Sequence, residues 1–135
     1  MRIIETTLVA LACAVDLGAC LLVLRVEPGL SGGTLAWLAY VGALGFVPPT
    51  ALLLRAPARE RVLWTVGGLV LGFAILGGFS IGPLFLPAAG LLLLGALAGD
   101  ILSPRALLLH VPLAAVACVL QIAVPVLVMH QVAGG

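Results

Sequence analysis

Between residues 62 and 98 the chain carries no charged side chain, and no other stretch restricts its fold as much. As one helix rising 1.5 Å per residue it would be about 55 Å long, whereas the hydrocarbon core of a bilayer is about 30 Å thick. The stretch has to fold back on itself once. The turn belongs at Gly77-Gly78-Phe79-Ser80-Ile81-Gly82-Pro83, where glycine and proline cluster. Helices are therefore predicted at 62–79 and 84–98. Pro83 suits the first turn of the second, and Pro87 is expected to bend or end that turn.

The remaining chain reads the same way. An apolar run at 3–24 stops at Arg25-Val26-Glu27-Pro28-Gly29, where Pro-Gly signals a turn. A second run, 34–54, has Trp37 and Tyr40 near its start, at the depth of an interfacial aromatic belt. Pro48-Pro49 interrupts its hydrogen-bond ladder, so a kink near Val47 is expected, with freed carbonyls that need Thr50, water or a neighbouring helix. A last helix, 106–129, follows Ser103 as N-cap and Pro104 as first helical residue.

Hydrophobic residues make up 64% of the chain and charged ones 8%, with a mean hydropathy of +1.36. That leaves too little polar surface to clothe a water-soluble globule. No polar stretch is long enough to fold as a soluble domain, so 1–135 reads as a single transmembrane helical domain. The fold class is an all-α integral membrane bundle of five transmembrane helices. A four-helix alternative requires a third span too long for the bilayer.

All six basic side chains are arginines. Arg55, Arg59 and Arg61 share one short connection, which the positive-inside rule places in the cytoplasm. With five spans and a cytoplasmic N-terminus, Arg2 and Arg105 lie on that side as well, and Arg25 alone lies outside. The C-terminus is then outside. The expected setting is the cell membrane, multi-pass, of the bacterial inner-membrane kind.

Several function classes lose support at this point. A net charge of +1 without a basic stripe gives no nucleic-acid surface. No G-x-S-x-G, H-E-x-x-H, phosphate loop or paired-cysteine motif is present, so no enzyme, no cofactor and no catalytic residue is expected. Cys13, Cys20 and Cys118 read as packing residues. Leu17-Gly18-Ala19-Cys20 resembles a lipobox, but the apolar run continues through Leu24, and Glu5 and Asp16 spoil a signal peptide. Cys13, Cys118, Asp16 and His110 lack a close metal-ligand spacing, so no metal is expected.

The polar residues inside the spans carry the remaining information. Asp16 lies in the middle of the first run, where an ionisable group is costly unless it faces protein or a wet cavity. Glu5, Cys13 and Asp16 have the same spacing as His110, Cys118 and Gln121. If the first and last helices touch, Asp16 meets Gln121, Cys13 lies near Cys118, and Glu5 reaches His110. These four residues, Asp16, Gln121, Glu5 and His110, form the expected intramembrane polar site. Asp16 reads either as interhelical glue or as a protonatable or cation-binding group in a transport path.

Two ridges of small residues, Ala10-Ala14-Gly18 and Gly68-Gly72, predict close helix packing. Two functions follow. One is a non-catalytic subunit or assembly partner, in a homo-oligomer or larger membrane complex, with the lipid bilayer as its other partner. The alternative is a small proton- or cation-linked transporter or channel protomer that uses Asp16.

Overall fold

A computed structural model describes residues 2–78 and 81–134. The described residues form five α-helices and one 3-10 turn, with no strand. They are α1 (Arg2–Val26), α2 (Gly32–Ala51), α3 (Ala58–Leu76), the 3-10 turn Gly82–Phe85, α4 (Leu86–Asp100) and α5 (Pro104–Gly134).

The long uncharged stretch does fold back where glycine and proline cluster. Phe79 and Ser80, in the middle of the expected turn, lie outside the described residues. Around them, the Gly82 N–H donates to the Gly77 carbonyl at 2.8 Å. A Cβ on Gly82 would overlap backbone atoms of Ala74 and Gly77, so only glycine permits this approach. Pro83 sits at the start of the 3-10 turn and Pro87 within the first two positions of α4, where a missing N–H costs no helical bond. At the α1–α2 connection Gly29 takes φ +92°, as a Pro-Gly turn requires.

Four segments are long and apolar enough to cross a membrane: Arg2–Val26, Gly32–Ala51, Gly82–Asp100 and Pro104–Gly134. The exception is α3, because Arg59, Glu60 and Arg61 crowd its first turn. Its expected start at residue 62 is corrected to Ala58. Pro57 disfavours helix in the residue before it, so helix begins after the proline and takes the charge cluster with it. Arg59 and Glu60 are consequently buried helical residues and not part of a solvated loop.

At its other end α2 stops at Ala51, short of residue 54, with Pro48 and Pro49 in its last turn. Thr50 donates its hydroxyl hydrogen to the Val47 carbonyl at 2.7 Å. The carbonyls that lose an N–H partner to the prolines are those of Leu44 and Gly45, four residues upstream of each ring.

The most enclosed helix is α3, with eleven of its 19 residues buried. Helices α1, α2, α3 and α4 close into a ring, each packed on the next, and α5 lies along the outside of α3. Glycines decide these approaches. Gly68 faces the backbone of Ala114, and a Cβ on Gly72 would come within 2.6 Å of the Cys118 carbonyl, so this ridge brings α5 against α3 backbone to backbone. Gly67 receives Leu93 of α4. Gly95 of α4 lies against Leu8 and Val9, which fixes how α1 crosses α4.

The other expected ridge does something different. Ala10, Ala14 and Gly18 are exposed, and nothing lies within 4 Å of a Cβ placed on Gly18. Among the described residues no helix occupies that face.

Candidate functional site

Because α1, α3 and α5 start, and α4 finishes, at the same end of the bundle, their terminal polar residues converge there. Trp64 donates its indole N–H to Asp100 Oδ2 at 2.8 Å, and His110 Nδ1 lies 2.5 Å from the same oxygen. Beside them Arg59 Nη2 donates to Glu60 Oε1 at 2.8 Å. Arg59 Nε approaches Glu5 Oε1 to 2.9 Å, close enough for strong attraction. Its N–H is not aimed at that oxygen, and neither atom forms a hydrogen bond among the described residues, nor does Glu60 Oε2. Glu5, Arg59, Glu60, Asp100 and His110 are all at most 9% exposed. Gly99 leaves room for the Glu5 and Glu60 carboxylates, which lie 3.6 Å from where its Cβ would be.

Asp16 lies deeper, between α1 and α2, and is 2% exposed. Neither carboxylate oxygen has a hydrogen-bond partner among the described residues. Its Oδ2 rests on Gly45, so close that a Cβ there would overlap it. What faces the carboxylate is a Cα hydrogen, a weak donor at best. Gly45 is also one of the two residues whose carbonyl the prolines release. An ionised carboxylate here has no counter-charge, whereas a neutral acid has a hydrogen to give, and released carbonyls are the acceptors nearest in sequence to its contact.

Gln121 occupies a third place, between α2 and α5 over α3. Its Oε1 accepts from the Tyr40 hydroxyl at 2.7 Å. The cavity beside it is about 380 Å³ and is lined by residues of α2, α3 and α5, among them Trp37, Tyr40, Leu69 and Pro125.

The four residues predicted as one polar site are thus all buried but distributed among three places. Expected contact between the first and last helices is corrected: α1 packs on α4 and α2, and α5 on α3. Asp16 does not meet Gln121, because Tyr40 of α2 takes the amide. Glu5 does not bond His110; Arg59 takes the first and Asp100 the second. With α1 and α5 apart, Cys13 and Cys118 belong to separate interfaces. The equal spacing of polar residues in the two helices carries no contact, because α3 and its glycines stand where the match would have put α1.

Arg59, Glu60, Trp64, Asp100 and Tyr40 are polar residues that the sequence reading did not assign to a site. One signal was available. Arg59, Leu63, Gly67 and Val70 recur at helical spacing, as do Leu92, Ala96 and Asp100, so each charged residue extends an apolar stripe. Among the described residues, no group of three His, Cys, Asp or Glu side chains is disposed to hold a metal ion. Compared with protein-family models, curated proteins and solved structures, the chain matches none.

Proposed function

We propose that this chain is a non-catalytic subunit or assembly partner of the cell membrane, of the bacterial inner-membrane kind, that packs against other helices through the outer face of α1. One observation carries the reading: the Ala10-Ala14-Gly18 ridge is exposed, while the chain's other ridge shows what such a surface accommodates, a helix backbone at contact distance. In a bilayer, where lipid tails are as apolar as leucine, small-residue ridges are a principal way for helices to associate. Five spans with the N-terminus in the cytoplasm fit the arginines: Arg2, Arg55, Arg61 and Arg105 belong to the bundle end that also buries Arg59, and Arg25 to the opposite end. Counting α3 as a span is reasonable because its charges all lie in the first turn, where Arg59 and Glu60 are covered by protein and Arg61 is exposed. A homo-oligomer or a larger membrane complex would both use the α1 face.

The test is the mass of the particle purified in mild detergent, with and without Gly18→Leu. An assembly heavier than the 13.7 kDa chain, reduced to monomer by the substitution, supports the proposal. A monodisperse monomer, or an assembly indifferent to a leucine at Gly18 and at Ala14, overturns it.

A second reading has its own observation. Asp16 is a mid-bundle carboxylate without a hydrogen-bond partner among the described residues, the kind of group that marks proton or cation paths in membrane proteins. On that reading the chain is a small proton- or cation-linked transporter or channel protomer. Asp16→Asn in proteoliposomes separates the two: loss of a pH-linked flux from an intact fold favours transport, and absence of any flux in both proteins discards it.

A further inference from the structure

The geometry points to the groove between α2 and α5 as a binding site for a neutral, bilayer-dissolved molecule that presents a carbonyl oxygen to the amide of Gln121. This is independent of the α1 face. The groove exists because α2 and α5 both pack on α3 but meet each other at the Tyr40–Gln121 hydrogen bond, which bridges the two walls. Its volume, about 380 Å³, falls in the range of small-molecule pockets.

The chemistry of the wall selects the ligand. Gln121 is 6% exposed and spends its Oε1 on Tyr40, so its two amide N–H groups have no protein partner among the described residues. The amide nitrogen is not fully enclosed, so its N–H groups are reachable from the groove that Gln121 lines, and an acceptor delivered from the membrane can pair with them. No charged residue lines the groove, which excludes ions and phosphates as favourable occupants.

Shape narrows the choice further. Tyr40, Trp37, Phe73 and Phe85 form a continuous ladder of ring contacts with centroids 5.8, 6.2 and 5.3 Å apart. Four of the chain's seven aromatic residues stand in this one place. Trp37 and Tyr40 line the groove, and their rings suit a planar conjugated carbonyl such as an isoprenoid quinone. The ester carbonyl of a glycerolipid offers the same acceptor. Shape separates the two: a quinone has a planar conjugated ring to lie against Trp37 and Tyr40, and an aliphatic ester has none.

The experiment uses the full chain in nanodiscs of ether-linked phosphatidylcholine, which has no ester carbonyl, titrated with decylubiquinone while tryptophan fluorescence is read. Trp37 lines the groove and Trp64 sits at the far end of the bundle, so a Trp37→Phe variant reports non-specific quenching. Saturable quenching that vanishes in Trp37→Phe is expected, weakened about tenfold or more by Gln121→Met, the loss of one well-placed hydrogen bond. Val124→Phe, at an exposed position on the groove rim, keeps the amide and should abolish binding by filling the space. Repeating the titration in ester-linked lipid identifies the source: weaker quinone binding there means that lipid esters compete for the amide, and unchanged binding means that they do not. Linear quenching of both tryptophans alike, or saturable binding indifferent to both Gln121→Met and Val124→Phe, overturns the site. So does a disulfide-linked dimer through Leu120→Cys, which would show a second copy filling the groove.

Discussion

Asp100 and Asp16 are carboxylates of similar burial, 4% and 2% exposed, and the fold treats them in opposite ways. Asp100 accepts from Trp64 and faces His110 at 2.5 Å, and beside it Arg59 holds two further carboxylates. Asp16 has a glycine Cα and no donor among the described residues. The difference follows from position along the helices. At a bundle end several helices start or finish together, and their terminal charged residues lie close enough to neutralise one another. Halfway along, the neighbours are the apolar residues that make up most of these long helices. A carboxylate with partners ties helices together; one without them gains nothing by being charged, so a structural role explains Asp100 and not Asp16.

This contrast can be broken by mutation, and the largest effect should come from the end cluster. Arg59→Ala leaves Glu5 and Glu60 without their cation and is expected to cost about 3–5 kcal/mol, the usual penalty for stranding a buried charge. Reversible unfolding in bicelles measures it, and a loss below 1 kcal/mol would mean that water reaches the cluster. Next, Gly72→Leu should cost about 1–3 kcal/mol as an overpacked contact. By lifting α5 from α3 it should also draw His110 from Asp100, seen as faster hydrogen exchange of the Trp64 indole. Unchanged exchange would show that the cluster does not depend on the docking of α5.

Smaller effects sharpen the Asp16 side. Gly45→Ala pushes a methyl group into the carboxylate and should destabilise by about 1 kcal/mol alone and by much less when Asp16→Ala is present, a coupling that a double-mutant cycle reads directly. Additive effects would place the two residues out of contact. Tyr40→Phe removes one interhelical hydrogen bond, worth about 0.6 kcal/mol by the average of such bonds in membranes. Smallest of all, Asp16→Asn should leave stability within about 0.5 kcal/mol, since no partner is lost with the charge. A cost near that of Arg59→Ala would falsify the contrast.

How much of this was readable beforehand varies by level. The lengths of the apolar runs, the fold-back at Gly77–Pro83, the Pro-Gly turn and the start of α5 at Pro104 are local matters of hydrogen-bond supply and chain stiffness, and the residues that govern them adjoin the places they govern. The start of α3 was misplaced because Arg59 and Glu60 look like solvent residues until Glu5, far away in the chain, is brought beside them. Burial of Asp16 and Gln121 was expected from the cost of polarity in lipid, but their partners were not. Nothing local says that Tyr40 takes the amide.

What the sequence determined by itself was therefore the set of helices, because apolar run length, proline, glycine and backbone hydrogen-bond supply act within a few residues. The tertiary structure alone decided which helix touches which. Glycines at Gly68 and Gly72 look like those of any close-packing ridge, and only the assembled bundle shows that α5 fills this one while Ala10, Ala14 and Gly18 remain uncovered. Small residues specify that a neighbour can come near; they carry no shape that says which neighbour it will be.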